Sequence, residues 1–174
     1  VLAALTSGDN NVAIGICALK VNTTGEQNTA IGKESMDANT TGSNNVALGK
    51  GSLSSNTTAN DNTAIGTSSL SANTTGQRNT AVGTFALTSS TAWPNTAVGY
   101  RALASTTTQN LNTAVGYLAL ETNTVGYRLT AVGDLALRAN TTGAQNVAVG
   151  TDSLLVNTTG YNNTASGMFS SQTN

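Results

Sequence analysis

Hydrophobic and polar positions recur along this chain of 174 residues with a period of 17 residues. The repeating unit has the consensus N-[TV]-A-[VIL]-G-x-x-[AS]-L-x-x-N-T-T-G-x-x. A short, fixed period is typical of coils that stack along one axis. We therefore predict a single repeat array over 1–174, in which one interval is 16 residues long. The coils end near Gly15, Gly32, Gly49, Gly66, Gly83, Gly99, Gly116, Gly133, Gly150 and Gly167.

Each unit contains two short β-rich segments separated by turns of Gly, Asn and Thr. The first segment is Asn-Thr-Ala-Val-Gly, and the second is centred on Ala/Ser-Leu. Apolar residues do not recur at the helical spacing i, i+3, i+4, i+7. The pattern predicts an all-β fold, a parallel β-solenoid (β-roll) of about ten coils with two strands per coil. At ~4.8 Å between strands, such a rod is about 48 Å long.

Strand side chains alternate between faces, so the alanine column and the Val/Ile column point in opposite directions. We assign the Val/Ile and Leu columns to the interior, where each residue stacks on its copies. The alanines and the Ala/Ser column then form a flat outer stripe of small side chains. The inverse arrangement, with alanine inside a thin roll, stays open.

Glycine and asparagine also form columns. Glycines at the strand end and in the Thr-Thr-Gly turn predict positive φ, or close approach of the chain, at both corners. Stacked amides can hydrogen-bond along the axis, so we predict structural asparagine ladders. The alternative is recognition of a polar ligand by these amides. The predicted ladders contain Asn28, Asn45, Asn62 and Asn79 before the strand, and Asn22, Asn39, Asn56 and Asn73 in the turn.

Large apolar side chains are scarce, at about two per coil, so one chain buries little apolar surface for each residue that it orders. Association of chains adds burial, and the stripe of small residues is the surface that we expect to mediate it. The sequence therefore predicts a parallel homotrimer, or a filament in which each chain contacts its neighbours.

Charged residues make up 9% of the chain, and the net charge is −1. The basic surface that nucleic acids require is missing, and so is an apolar run long enough for a membrane span. We expect neither nucleic-acid binding nor membrane insertion. Because the chain begins and ends in mid-repeat, we interpret it as a fragment of a longer protein. Its single cysteine, Cys17, cannot form an intrachain disulfide.

Candidates for catalysis are almost absent from the sequence. It contains no histidine, which is the commonest general base and metal ligand. Its eight carboxylates are scattered over several columns of the repeat. We therefore predict that the chain is not an enzyme and has no catalytic residue, metal site or cofactor.

Irregularity is concentrated in and after the coil between Gly83 and Gly99, where Ser-Ser-Thr-Ala-Trp-Pro replaces the Asn-Thr-Thr-Gly turn. Aromatic residues and arginines on a surface that otherwise carries mostly small and uncharged side chains are typical of a contact patch. The alternative is a register adjustment at a one-residue deletion, with Trp93 filling the gap. The candidate patch comprises Trp93, Tyr100, Arg101, Tyr117, Tyr127 and Arg128, and Leu111, Leu118 and Leu129 replace polar residues nearby.

The repeat resembles those of bacteriophage tail fibres and related virion spikes over essentially the whole chain. Its core, as in Asn79–Gly83 and Asn146–Gly150, is also similar to the Ser-Val-Ala-Ile-Gly repeat of trimeric autotransporter adhesin heads. The autotransporter repeat is usually shorter and lacks Asn-Thr-Thr-Gly. These resemblances imply a trimeric, left-handed parallel β-roll on a virion or cell surface.

Three functions agree with these features. The first is a phage or virus fibre segment that spans distance and contacts a host-surface glycan or protein. The second is a bacterial surface adhesin or extracellular filament subunit. The third is an ice-binding solenoid, although Val12, Val46 and Val147 interrupt its row of threonines. That row comprises Thr29, Thr63, Thr80, Thr96, Thr113 and Thr130.

Overall fold

The computed structural model describes residues 2–171, which contain one ten-stranded parallel sheet. Each strand pairs with the next in chain order, and each alanine pairs with its copy, as Ala30 does with Ala47. The predicted all-β parallel solenoid is confirmed. The strands are β1 (Val12–Ile14), β2 (Thr29–Ile31), β3 (Val46–Leu48), β4 (Thr63–Ile65), β5 (Thr80–Val82), β6 (Asn95–Val98), β7 (Asn112–Val115), β8 (Thr130–Val132), β9 (Val147–Val149) and β10 (Thr164–Ser166).

Strand orientation is the reverse of our first assignment. Alanines such as Ala64 and Ala81 are fully buried, whereas Ile14 before the first strand-end glycine is 58% exposed. The alanines pack with the buried leucine column in one continuous core. Because leucines from the other side fill this thin interior, the strand contributes only a methyl group. The Ala/Ser column is buried too, as at Ser52 and Ala86. The described residues therefore form no outer stripe of small side chains, and the interior position of leucine is confirmed.

The second predicted strand is wrong, because the Ala/Ser-Leu segment consists of consecutive turns. Ser68 and Leu70 have φ of +53° and +51°, values in the left-handed region rather than the β region. The turns close where Ser69 N–H donates to the Gly66 carbonyl at 3.3 Å and Asn73 N–H to the Leu70 carbonyl at 3.3 Å. Each coil therefore has a strand side and a turn side.

Axial hydrogen bonds continue across the turn side even though it lacks β geometry. Leu70 N–H donates to Ala86 O in the next coil at 2.9 Å, and Ser68 N–H donates to Lys50 O in the preceding coil at 2.9 Å. The amides of Ser68 and Leu70 thus point in opposite axial directions. This pattern pairs the backbone on both sides of the coil, as buried polar groups require.

Both explanations that we predicted for the glycine columns, positive φ and close approach of the chain, are found in the structure. Gly49, at the strand end, has φ +135°, and an added Cβ would lie 2.6 Å from Gly66 O. Gly42, in the turn, has an ordinary φ, but its Cβ would collide with Ala59 O. Of the two glycine columns, only the one at the strand end therefore has positive φ, whereas close stacking leaves no room for a side chain in either column.

The one-residue deletion is absorbed in the turn before β6. Thr80 still pairs with Thr96, so the strand register is unbroken. Trp93 is 54% exposed, which rules out the alternative that its ring fills the gap.

Candidate binding surfaces

The asparagine column before the strand forms a buried ladder along the axis. Asn45 Nδ2 donates to Asn28 Oδ1 at 3.1 Å and to Ala59 O at 2.8 Å. Its own Oδ1 accepts the backbone N–H of Asn62 at 3.0 Å. Each amide therefore connects one coil to the next and also fixes a neighbouring turn.

The asparagines of the turn form a second ladder. Asn39 Nδ2 donates to Asn22 Oδ1 at 2.8 Å and to Gly42 O at 2.9 Å. The eight ladder residues that we single out are at most 1% exposed. Buried amides whose donors are already paired are not available to a ligand, which excludes polar recognition by these residues.

Substitutions interrupt the ladders in the middle of the chain. Ser90 and Thr106 replace asparagine in the turn ladder, and Leu129 replaces it in the ladder before the strand. Thr106 keeps the connection, because Asn123 Nδ2 donates to its Oγ1 at 3.3 Å. Leu129 is 1% exposed and Leu118 is 8% exposed. Leu129 belongs to the interior core, and neither leucine exposes enough surface to form part of a contact patch, whereas Leu111 is 49% exposed.

One continuous surface consists of the residues immediately before and after each strand alanine, which we call the outer sheet face. Its twenty positions hold twelve Val, Ile or Leu residues and eight Thr or Ser residues, and none is charged or buried. Among the described residues, the hydroxyls of its threonines, such as Thr63 and Thr80, form no hydrogen bond within the chain. Large uncharged, partly apolar surfaces of this kind are typical of interaction sites.

The predicted contact patch divides between the two ends of the strands. Tyr100 and Tyr117 follow β6 and β7, and their rings stack with centroids 5.6 Å apart. Arg101 lies beside this pair in the sequence. Trp93, Tyr127 and Arg128 instead precede β6 and β8, at the opposite strand ends. There the Arg128 guanidinium lies 5.9 Å from the centre of the Tyr127 ring.

Three residues that sequence reasoning missed complete the group around Tyr100. Phe85 meets the Tyr100 ring edge-on at 6.3 Å. The Glu121 side chain is only 12% exposed, and its two carboxylate oxygens lie 3.0 Å from Arg101 Nε and 3.0 Å from Arg138 Nε. Glu121 and Arg138 are one period apart, so a search for opposite charges at the repeat spacing would have found this pair.

Two clefts follow the turn side next to these charges, and together we call them the turn-side groove. The first has a volume of about 250 Å³, and the second has a volume of about 340 Å³. Arg101 lines the first cleft, Arg138 lines the second, and Glu121 joins the two arginines. The first is lined by Phe85, Thr88, Ser89, Arg101, Ala104 and Ser105, and the second by Thr122, Arg138, Ala139, Leu155 and Val156.

Other features bear on the class of protein. Within residues 2–171, no three Cys, Asp or Glu side chains gather as a metal-binding group. The same residues include no helix of the length and apolarity needed to cross a membrane. Comparison with protein-family models, curated proteins and solved structures finds no match to this chain.

Proposed function

We propose that this chain is a structural and adhesive fibre segment of a phage or virus, assembled as a parallel homotrimer through the outer sheet face. The observation that carries the proposal is that face: ten strands long, uncharged and largely apolar, on a solenoid with a thin interior. We assign it no catalytic role. Its partners are copies of itself and a glycan or protein of the host surface.

We propose a different trimer interface from the stripe of small residues that the sequence predicts. The alanine and Ala/Ser columns are buried within the chain, so they cannot join chains. The Val/Ile column points outward instead, where burial against two partner chains would add the apolar area that a thin interior lacks. Parallel copies have the same coil spacing, so equivalent columns can stay level along the whole rod.

Resemblance of the repeat to tail fibres supports a position on the virion surface. A bacterial surface adhesin or extracellular filament subunit is the alternative, and it uses the same face. The solenoid fold is compatible with a viral fibre and with a bacterial adhesin. Attachment to a host would require a ligand site outside the trimer interface. The choice between the two classes rests on the repeat resemblance alone.

The solution mass, measured by light scattering during size exclusion, tests the assembly. We expect three times the chain mass of 17.4 kDa. The double variant Ile65→Lys and Val98→Lys places charges on the outer sheet face and is expected to give a folded monomer. Thr67→Lys is the matched control, since Lys33 and Lys50 occupy its column naturally. A folded wild-type monomer would overturn the trimer.

The unpaired threonine hydroxyls of the outer sheet face favour ice binding as a second candidate. One hydroxyl recurs at most coils with the ~4.8 Å strand spacing, and it is free to bind water. This function needs the face to be exposed, so it excludes the trimer. Thermal hysteresis of a monomeric wild type, and its loss in Thr80→Lys, would establish this function.

A further inference from the structure

We propose that the turn-side groove, with the Tyr100–Tyr117 stack beside it, is a binding site for a neutral oligosaccharide. The inference rests on the proposed function in one respect: it supplies the host ligand that an adhesive fibre needs. The groove lies on the turn side, so a trimer formed through the outer sheet face leaves it open to solvent.

Exposed aromatic rings provide the first element of this site. Tyr100 and Tyr117 are 42% and 50% exposed, and Phe85 is 38% exposed. The tyrosine column holds Lys33, Lys50, Thr67 or Asp134 in other coils, so the fold does not require an aromatic residue here. Flat, rigid rings cost little conformational entropy when a ligand binds. Their faces suit the C–H faces of pyranose rings.

Fixed hydrogen-bond donors provide the second element. Glu121 holds Arg101 and Arg138 through their Nε atoms. Within residues 2–171, the Nη groups of the two arginines donate no hydrogen bond to the chain. A guanidinium presents its donors in a planar fork that matches pairs of oxygen atoms. Because Glu121 restrains both side chains, the free donors are ordered before a ligand arrives, which favours binding.

The shape of the groove favours a linear ligand. Apart from Phe85 and Arg101, the residues that line both clefts lie five or six positions after the strand-end glycines, so the clefts follow each other along the rod. A pyranose ring is about as long as the ~4.8 Å spacing between coils. A short chain of sugars lying along the axis therefore meets a new coil at about every ring. The Ser89 hydroxyl lines the groove, and the hydroxyls of Thr88 and Thr122, which already donate to backbone carbonyls, can accept hydrogen bonds from a sugar there.

Charge decides between neutral and polyanionic sugars. Two arginines and Glu121 leave one positive charge in the groove. Asp134 lies next to the aromatic stack, where its Oδ1 accepts the Tyr117 N–H at 3.3 Å, and it balances that charge. Polyanionic glycans need a clearly basic surface, which this group lacks. We therefore infer a ligand that is recognised by ring stacking and hydroxyl hydrogen bonds.

The experiment is a glycan array probed with the intact chain, followed by calorimetric titration of the strongest neutral oligosaccharide. Tyr117→Thr copies the residue of other coils and is expected to weaken binding about tenfold. Arg138→Gln is expected to have a similar effect. Tyr161→Thr, which removes an exposed tyrosine outside the groove, is the control and is expected to bind as wild type does. Circular dichroism establishes that each variant is folded.

Several outcomes would overturn the site. They are the absence of glycan binding, binding that Tyr117→Thr and Arg138→Gln leave unchanged, and salt-sensitive binding confined to sulfated glycans. Failure of the site is distinguishable from failure of the proposed function. A trimer that binds no glycan would support the fibre proposal and contradict the glycan site. A monomer that binds glycan through Tyr117 would support the site and contradict the trimer.

Discussion

The strand side and the turn side of each coil achieve the same axial pairing with different backbone conformations. The strand side is extended, with alanine inside and Thr, Val or Ile outside. The turn side has left-handed φ at two positions in each coil, one of which is the buried leucine. On both sides, residues stack on the equivalent residues of the next coil. The 17-residue repeat alone therefore does not specify β geometry.

The comparison shows that branching of the side chain at Cβ indicates which backbone conformation a column of residues adopts. In the column that contains Leu70, φ lies between +46° and +53° from Leu19 to Leu154. A β-branched residue with φ above zero is a genuine outlier. This explains why the column holds only Leu or Met through Leu154, whereas the outward columns of the strands are rich in Val, Ile and Thr.

The largest predicted effect comes from Gly49→Ala, at the junction of the two sides. A methyl group here would lie 2.6 Å from Gly66 O, on a residue with φ +135°. Combined strain and overlap should cost about 4 kcal/mol or more. We expect a large fall in the urea midpoint of unfolding.

Gly51→Ala is the control for that prediction in the same coil. Gly51 has φ +63°, and its nearest neighbour would lie at 3.7 Å. Only the left-handed conformation is penalised, at about 1 kcal/mol. Equal effects of the two variants would show that stacking of the coils at the junction is not the constraint.

Asn62→Asp has the next largest expected effect, because it breaks a ladder that joins strand to turn. Asn62 Nδ2 faces two acceptors, Asn45 Oδ1 at 3.2 Å and Gly76 O at 2.9 Å. A carboxylate cannot donate to them, and burying its charge with one oxygen facing two acceptors should cost about 3 kcal/mol. The pKa of the new carboxyl should be raised above its unfolded value of about 3.9.

The sign of the pH dependence provides a second measurement for Asn62→Asp. Between the unfolded pKa and the raised folded pKa, the native state binds more protons, so the stability of the variant falls as pH rises. Urea unfolding at several pH values measures this slope. Asn44→Asp, at an exposed position equivalent to Asp61, is the control. A slope shared by both variants would contradict the buried ladder.

Much of the fold could be predicted from the sequence, because a fixed period determines stacking, register and the leucine interior. The side of the strand that faces the interior could not be predicted. Alternation shows that Ala and Val point to opposite sides of the strand, but it does not show which of them points inward. That choice depends on how far the leucines reach across the coil. The turn side was predicted as a strand because the hydropathy of a leucine does not reveal that its φ lies in the left-handed region.

The candidate site was predicted only in part, for a related reason. Tyr100, Arg101 and Tyr117 stand out as departures from the repeat, and the structure brings them together. Trp93 stands out equally but lies at the other strand end. Phe85 and Glu121 complete the group through contacts between adjacent coils, which depend on side-chain direction on the turn side.

Leu70→Ile tests whether the backbone conformation selects leucine on the turn side, because it places there a β-branched residue of the kind found in the strands. Its volume is unchanged, but the β-branched side chain must adopt φ +51°, so we expect a loss of about 2 kcal/mol. Leu70→Met is the control, since Met36 occupies this column, and should cost about 1 kcal/mol or less. Thermal unfolding of both variants measures the difference. Comparable losses would mean that packing, rather than φ, selects leucine.

Asp37→Asn should have the smallest effect and concerns a position of the turn side equivalent to Glu121. Burial raises the pKa of the Asp37 carboxyl, Glu34 raises it further, and backbone hydrogen bonds and Lys20 oppose the rise. A raised folded pKa means that the charged form destabilises the native state at neutral pH. Asp37→Asn should therefore stabilise the chain at pH 7, by less than about 0.5 kcal/mol because the carboxyl is only partly buried. Urea unfolding should show this gain shrinking as pH falls toward the ordinary pKa of 3.8, and a gain that persists in acid would mean that charge is not its cause.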